Sequence, residues 1–172
     1  MMLAAVAAVA FVAVAGAVFW LSEQQARKMQ VGIPNFSSQE FRLTDQFGAS
    51  RSAADFIGAP VALFFGYTYC PDVCPMTLTL LTNALDEVGD RGLDTAALQT
   101  IFVTVDAERD TPEQLAAYLS LFDTEVTGLT GPPEALVKVQ RYFSAYASRV
   151  ARDDGVVLWD HTATVYLYGA DG

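Results

Sequence analysis

The chain has 172 residues, of which 52% are apolar, and its twenty acidic and ten basic residues give a net charge of −10. This length suits one domain with a short extension, and the apolar content is sufficient for a hydrophobic core. A nucleic-acid surface needs clustered Lys and Arg side chains. The sequence contains no basic stretch, so its composition excludes nucleic-acid binding as well as intrinsic disorder.

The chain begins with an apolar run, Met2 to Leu21, that contains no charged residue, Asn, Gln or Pro. At about 1.5 Å per residue, a helix over this run spans roughly 30 Å, the thickness of a bilayer's hydrocarbon core. We therefore expect residues 1–22 to form a transmembrane anchor. The alternative is a signal peptide cleaved at the small residues Ala15-Gly16-Ala17. Residues 23–39 are polar and are interpreted as a stalk, and residues 40–172 are interpreted as the globular domain.

The first elements of the globular domain are extended. Phe41 to Leu43 alternates like a short strand, and Asp45 to Gly48 is typical of a turn. Val61 to Phe65 is a continuous apolar run, which predicts a strand covered on both faces. Gly66 ends this strand, and a loop that contains Cys70 follows it.

Three helices and a second strand are predicted in the middle of the chain. The first helix has Pro75 at its first position, where a missing N–H costs little. Its apolar residues recur at spacings of three and four: Leu78, Leu81, Leu85 and Val88. A strand from Thr100 to Val105 precedes the second helix, which has Thr111 as its N-cap and continues through Phe122. The third helix is expected from Pro132 to Phe143.

The last part of the domain is predicted to be extended. Asp153-Asp154-Gly155 indicates a turn between two extended segments, of which the second begins at Val156. Thr162 to Tyr168 is rich in β-branched and aromatic residues, which predicts a final strand. Strands that alternate with helices and end in a hairpin predict an α/β domain with a thioredoxin-like fold and a β-hairpin insertion.

The two cysteines, Cys70 and Cys74, follow the buried strand and are close together in the sequence. Cys74 immediately precedes the predicted helix, where the helix dipole favours a thiolate. Thiolates carry out redox exchange and also bind soft metals. The three intervening residues leave more room for an ion than the two of a redox motif. Inert thiols or a static disulfide are the alternative, which the polar Pro71-Asp72 pair disfavours.

His161 is the single histidine, and it follows Asp160 at the predicted entrance to the final strand. Two thiolates and one imidazole would form a three-coordinate site that is soft enough to prefer Cu(I). Zinc accepts the same ligands together with a fourth from solvent. The ligand types alone therefore leave the choice of metal open.

Together these motifs resemble those of the SCO/SenC family of copper chaperones, which serve cytochrome c oxidase assembly. The matching segments are Phe65–Thr68, Cys70–Pro75, Val105–Asp106, Glu108–Leu115, Gly128–Gly131 and Asp160–Ala163. They follow the family's order from about Phe41 to the end of the chain. Tyr69 stands where many relatives have His, and Ala107 replaces a common Pro. Family members continue through another strand and helix beyond the position of Gly172, so part of the fold's cover is expected to be missing.

The resemblance implies that Cys70, Cys74 and His161 bind a copper ion, with Asp72 and Asp160 as acids near the metal. It also implies one anchor in the cell inner membrane with the domain in the periplasm, or in the mitochondrial inner membrane of a eukaryote. The implied partners are a cytochrome c oxidase subunit as copper recipient and a thiol reductant or upstream copper donor. The expected role is that of a metallochaperone rather than an enzyme.

Two other functions use the same sulfur atoms. A thiol–disulfide reductase would keep the cysteines of a target reduced for metallation, and it does not need His161. A relative of the peroxiredoxins would need an activated cysteine with an Arg nearby, and the loop beside Cys70 contains no Arg. His161 is therefore the residue that favours the copper chaperone over the reductase.

Overall fold

The computed structural model describes Gly16, Ala17, Trp20 and residues 35–172. The predicted anchor, apart from those three residues, and most of the predicted stalk lie outside this described part. No helix within the described part has the length and apolar character needed to cross a membrane. The chain divides into two compact units, residues 1–33 and 34–172, and the second unit contains the elements that follow.

Residues 35–172 form a mixed α/β domain built on one main sheet. Its strands are β1 (Leu43–Asp45), β2 (Ser50–Arg51), β3 (Val61–Gly66), β4 (Gln99–Thr104), β5 (Val126–Thr130), β6 (Ala147–Ala151), β7 (Val157–His161) and β8 (Val165–Tyr168). Its α-helices are α1 (Val73–Asp90), α2 (Pro112–Leu119) and α3 (Pro133–Tyr142). The main sheet has the order β2-β1-β5-β4-β3-β8, and β6 pairs only with β7 in a separate two-stranded sheet.

The centre of the main sheet is parallel and buried. β3 pairs with β4 and β4 pairs with β5, all in parallel, while β8 and β1 add antiparallel strands on the two sides. Every residue of β3 is buried, which confirms the prediction of a strand covered on both faces. Parallel strands need crossover connections, and α1 and α2 supply them. The carboxyl ends of β3 and β4 therefore lie side by side.

The helices agree with the sequence prediction in type and differ at their ends. α1 begins at Val73 with Asp72 as N-cap, so Cys74 lies inside the first turn and Pro75 at its third position. The helix was predicted to begin at Pro75 with Cys74 just before it, and this start was wrong by two residues. A Pro has no N–H and therefore fits anywhere in the first turn of a helix, so it does not mark the first residue. α2 ends at Leu119, before the predicted end at Phe122.

Two strands of the main sheet were not predicted: the two-residue β2 and the longer β5. The central residue of β5 is Gly128, which weakens the apolar pattern by which strands are recognised. The tertiary structure accounts for this glycine, because a Cβ atom there would lie 2.5 Å from Cδ1 of Leu119 in α2. Strand β5 is thus specified by close packing against a helix rather than by local sequence preference.

Phe36 connects the segment interpreted as a stalk to the core. It lies in a short 3₁₀ helix, Phe36–Ser38, and is fully buried. Its ring contacts four other aromatic rings, at centroid distances of 5.3 to 6.3 Å: Phe41, Phe56, Phe143 and Tyr168. The predicted stalk, residues 23–39, therefore contributes the side chain of Phe36 to the hydrophobic core.

The predicted hairpin is confirmed by β6 and β7, which are antiparallel and joined by a turn at Gly155 with φ of +80°. His161 pairs with Ala147 and is the last residue of β7. The expectation that His161 stands at the entrance to the final strand was therefore wrong. Residues Thr162 to Thr164 separate it from β8, because the chain must leave the hairpin to join the main sheet.

The N-cap of α2 provides a test of the helix signals in the sequence. The Thr111 hydroxyl accepts a hydrogen bond from the Gln114 N–H at 3.3 Å. Replacing Thr111 with Ala leaves this N–H without its side-chain partner, and we expect a loss of about 1 kcal/mol in the free energy of unfolding. Urea denaturation measures the loss. Thr79→Ala is the control, because the Thr79 hydroxyl bonds back to a carbonyl within α1 and its loss should be neutral or stabilising.

Candidate metal centre

Cys70, Cys74 and His161 come together at the carboxyl end of β3. One ligand atom from each residue lies within 4.8 Å of the other two. Cys70 is in the loop after β3, Cys74 is in the first turn of α1, and His161 ends β7. The fold thus brings together all three residues that the sequence analysis selected, from three different elements. Both cysteines are free thiols.

Cys74 is the buried member of the group, with 1% of its surface exposed. Its sulfur packs against the backbone at the end of β3, where a Cβ atom on Gly66 would lie 2.8 Å from it. The same Cβ atom would lie 2.7 Å from the ring of Phe102 on β4. A residue with a side chain at position 66 would therefore displace either the sulfur or the ring, and the glycine gives the Cys74 sulfur its place.

Cys70 is partly exposed, and its sulfur faces the beginning of α1. The Cys74 backbone N–H donates a hydrogen bond to the Cys70 sulfur at 3.4 Å. Hydrogen bonds from the Cys74 thiol, the His161 ring and the helix N–H groups stabilise the thiolate and lower the pKa of Cys70. The hydrogen bond to Cys70 and burial raise the pKa of Cys74. One thiolate and one thiol therefore share this site in the metal-free protein.

The imidazole of His161 presents one defined nitrogen to the sulfurs. Its Nδ1 lies 3.0 Å from the Thr162 carbonyl oxygen, which only accepts hydrogen bonds, so Nδ1 carries a proton. Nε2 lies 3.4 Å from the Cys74 sulfur. Burial disfavours the imidazolium, but hydrogen bonds to Cys70 and Thr162 outweigh it, and the pKa of His161 is raised. Nε2 is thus the nitrogen that faces the sulfurs, and it must lose its proton before it can bind a metal.

A buried carboxylate holds the loop that leads to Cys70. Asp110 is fully buried, and it accepts hydrogen bonds from the Thr68 N–H at 3.0 Å and from the Thr68 hydroxyl at 2.6 Å. The Thr104 hydroxyl at the end of β4 also donates to it. Because a buried carboxylate is costly without partners, these bonds tie the cysteine loop to the end of β4. No role was predicted for Asp110 from the sequence.

Arg109, the residue before Asp110, lies on the rim of the site. It forms an ion pair with the buried carboxylate of Asp106, and its guanidinium lies 5.0 Å from the ring centroid of Tyr69. The signal in the sequence was the polar run that follows the buried strand β4, since such side chains collect at the carboxyl end of a parallel sheet. In the sequence, this run was recognised only as part of the family resemblance.

The acids expected beside the metal are exposed. Asp72 is the N-cap residue of α1, and its backbone N–H contributes to the lowered pKa of Cys70. Asp160 precedes His161 on β7 and points to the other face of the strand, where it is exposed to solvent. Its negative charge contributes to the raised pKa of His161. Both acids therefore act on the candidate ligands Cys70 and His161 through backbone contact or charge.

The three side chains fit a soft metal ion. Metal bonds to sulfur and nitrogen of about 2.0–2.3 Å place two ligand atoms up to about 4.6 Å apart. The metal-free spacing of at most 4.8 Å is close to this limit. Two sulfurs and one imidazole nitrogen are ligands that Cu(I) prefers. The hydrogen bond of Nδ1 to a carbonyl is the support that metal-binding histidines usually have.

The fold and the site together define a thioredoxin-like protein with a Cys-x-x-x-Cys pair and a histidine at one candidate metal centre. Comparison with known sequences identifies its family: the SCO1/SenC family model matches residues 32–172. The chain therefore belongs to the SCO1/SenC family, and the resemblance found in the sequence motifs is confirmed.

Two curated relatives show the extent of the similarity. The chain is 37% identical over 150 residues to the mitochondrial SCO2 homolog of Danio rerio, covering 87% of this chain and 52% of the relative. It is 35% identical over 150 residues to the mitochondrial SCO1 homolog of Homo sapiens, covering 87% of this chain and 49% of the relative. The chain thus spans about half the length of these proteins.

Solved structures agree with the fold. The structure of Bradyrhizobium japonicum ScoI with copper bound has a TM-score of 0.71 and 42% identity, covering 78% of this chain and 83% of that one. Arabidopsis thaliana ScoI with copper bound also has a TM-score of 0.71, at 31% identity, with 77% and 81% of the two chains covered. Both of these related structures contain copper.

The buried carboxyl of Asp110 predicts a pH dependence of stability. Burial raises its pKa above the ordinary value of 3.8, although hydrogen bonds from Thr104 and Thr68 oppose the shift. Folding therefore favours the protonated carboxyl, and this contribution is lost as the pH rises through the raised pKa. Asp110→Asn removes the charge at every pH. We expect its free energy of unfolding, relative to the parent, to increase as the pH rises from about 4 to about 8.

Urea denaturation of both proteins across this pH series measures the difference. Asp123→Asn, at an exposed carboxylate, is the control and should show no comparable trend. A difference for Asp110→Asn that stays constant or decreases with pH would contradict the raised pKa.

Proposed function

We propose that this protein is a membrane-anchored copper chaperone that binds copper through Cys70, Cys74 and His161 and delivers it for cytochrome c oxidase assembly. The observation that carries the proposal is the convergence of two sulfurs and one nitrogen within 4.8 Å of one another. Membership of the SCO1/SenC family and the copper in two related structures support the choice of metal.

The ligand set suits transport of copper. Two thiolates hold Cu(I) tightly, and the imidazole adds the nitrogen that Cu(II) favours. Binding requires that the Cys74 thiol and the His161 ring lose their protons, so copper uptake releases protons and weakens at low pH. Oxidation of Cys70 and Cys74 to a disulfide removes both sulfur ligands, and a thiol reductant is therefore a required partner before loading.

The exposure of the ligands supports transfer by ligand exchange. Cys74 is buried, whereas Cys70 and His161 are partly exposed and form the open side of the site. A thiolate of the recipient oxidase subunit would approach on this side and replace Cys70 or His161 first. Cys74, fixed against the backbone of β3, would release the ion last. An upstream donor would load the site by the same steps in reverse.

A thiol–disulfide reductase is the second candidate, and the state of Cys70 favours it. This sulfur is partly exposed and has a lowered pKa at the beginning of a helix, as nucleophilic cysteines of disulfide-exchange proteins have. Cys74 lies beside it and would resolve a mixed disulfide. Exchange chemistry requires both sulfurs and no histidine, so His161 distinguishes the two functions.

Replacing His161 with Ala separates copper binding from thiol exchange. Loss of one ligand should lower copper affinity by at least roughly the tenfold to hundredfold that is typical of a lost supporting residue. The loss should be larger for Cu(II), and the thiolate-to-copper absorption should change. Disulfide exchange with a model substrate should persist, and its rate should change only through the pKa of Cys70, which the His161 ring helps to lower. Competition with a copper chelator and a thiol-exchange assay measure the two activities.

The control for this experiment is Val150→Ala, which alters an exposed residue of the same hairpin and should leave both activities intact. Cys70→Ser and Cys74→Ser should abolish both. If His161→Ala supported oxidase assembly as well as the parent, copper delivery through this site would be refuted and the reductase would take its place.

The apolar run from Met2 to Leu21 is the basis for the proposed anchor. The full chain should fractionate with membranes and resist carbonate extraction, because roughly twenty apolar residues suffice to cross a bilayer. A shortened chain that begins at Gln24 should be soluble. A soluble full chain with a new N-terminus near Val18 would instead establish signal-peptide cleavage.

A further inference from the structure

The histidine of the metal centre belongs to a different sheet from the cysteine loop. β6 and β7 pair only with each other, whereas the cysteines follow β3 of the main sheet. No backbone ladder between described strands therefore sets the distance between His161 and the two sulfurs. This distance depends on the three-residue link from His161 to β8, which pairs with β3, and on side-chain contacts between the hairpin and the residues around the cysteine loop.

Tyr67 makes the contact that joins the two parts most directly. It follows β3, is 1% exposed, and its carbonyl oxygen accepts the N–H of Cys70 at 3.2 Å. Its hydroxyl oxygen accepts the backbone N–H of Trp159 at 3.3 Å. Trp159 and His161 stand two residues apart on β7 and therefore share one face of the strand. The hydrogen bond thus restrains the β7 backbone two residues before His161.

The ring of Tyr67 also contacts the ligand itself. It meets the imidazole of His161 edge to face, with centroids 5.7 Å apart and planes at 86°. This contact and the hydrogen bond of Nδ1 to Thr162 restrict the rotation of the imidazole and direct Nε2 towards the sulfurs. One side chain thus restrains both the strand that carries the ligand and the orientation of its ring.

Arg109 also connects Tyr67 with β7. Its guanidinium lies 5.8 Å from the ring centroid of Tyr67 and donates a hydrogen bond to the Val157 carbonyl oxygen at 3.0 Å. Val157 begins β7, so the strand is attached at its first residue by Arg109 and at its third residue by Tyr67. An ion pair between Arg149 and Glu108, at 2.6 Å, joins β6 to the loop that contains Arg109.

We propose that Tyr67 is a positioning residue that holds His161 in the ligand geometry, so that its hydroxyl group sets how well the site retains Cu(II) relative to Cu(I). The copper part of this inference rests on the proposed function, whereas the docking of β7 does not. Cu(I) is held by the two sulfurs, which Tyr67→Phe leaves in place. Cu(II) depends more on the nitrogen, whose position the variant loosens.

Tyr67→Phe removes only the hydroxyl group and keeps the buried ring. In the metal-free full chain, the Trp159 amide should exchange with solvent about tenfold faster, because one hydrogen bond of ordinary net strength is lost. The NMR signals of the His161 ring should shift. Tyr168→Phe is the matched control, since the buried Tyr168 hydroxyl has no hydrogen-bond partner among the described residues. Tyr168→Phe should leave the Trp159 exchange rate and the His161 ring signals unchanged.

In copper titrations, Tyr67→Phe should lower Cu(II) affinity by about tenfold, as loss of a residue that supports a ligand does, and alter the thiolate-to-Cu(II) absorption. Cu(I) affinity and the alkylation rate of Cys70 should change little. In the His161→Ala background, Tyr67→Phe should have no further effect on Cu(II) affinity, because a positioning residue acts through its ligand.

The possible outcomes separate the two proposals. Unchanged Trp159 exchange and His161 signals in Tyr67→Phe would overturn the positioning role, whatever the protein binds. Equal losses of Cu(I) and Cu(II) affinity, or an undiminished effect in the His161→Ala background, would also overturn it. A parent protein that binds neither copper ion would refute the proposed function, while the metal-free measurements would still decide the role of Tyr67 in docking β7.

Discussion

The contact between the Cys74 sulfur and the backbone at Gly66 is the constraint around which the site is arranged. The sulfur occupies space that any side chain at position 66 would fill, and the ring of Phe102 closes the other side. Protein interiors are packed too densely for such a group to shift freely. The Cys74 sulfur is thus a fixed point at the carboxyl end of β3, and the other two candidate ligands must be brought to it.

Different interactions bring Cys70 and His161 to the Cys74 sulfur. Cys70 lies four residues before Cys74, in the loop that leads into α1, and the N–H groups at the start of the helix that stabilise its thiolate also hold the loop. The buried carboxylate of Asp110 secures the start of that loop through Thr68. His161 arrives on a hairpin outside the main sheet. The sulfurs are therefore held by the main sheet and α1, whereas the nitrogen is held by the contacts of a separate hairpin.

This asymmetry suits the proposed copper chaperone, which would have to hold an ion and then release it. Here the buried Cys74 offers retention, and the partly exposed Cys70 and His161 offer an open side for an incoming ligand. The same partly exposed thiolate explains why disulfide exchange is the closest alternative function. One arrangement of side chains supports both chemistries, and the histidine distinguishes them.

Local patterns in the sequence were sufficient to predict β3, the N-cap of α2, the hairpin and the two cysteines as candidate ligands, whereas His161 was added from its position after Asp160 and from the family resemblance. Each of the local patterns is a short-range feature: a continuous apolar run, a Thr-Pro cap, a turn with glycine, or soft ligands at a helix start. Strand β5 was not predicted, because Gly128 interrupts its apolar pattern and its place depends on packing against α2. The hydrogen bonds from Thr68 to Asp110 were not predicted, because they join residues 42 positions apart in the chain. Only the tertiary structure decided which nitrogen of His161 faces the sulfurs, since that depends on the Thr162 carbonyl and on contacts between two separate sheets.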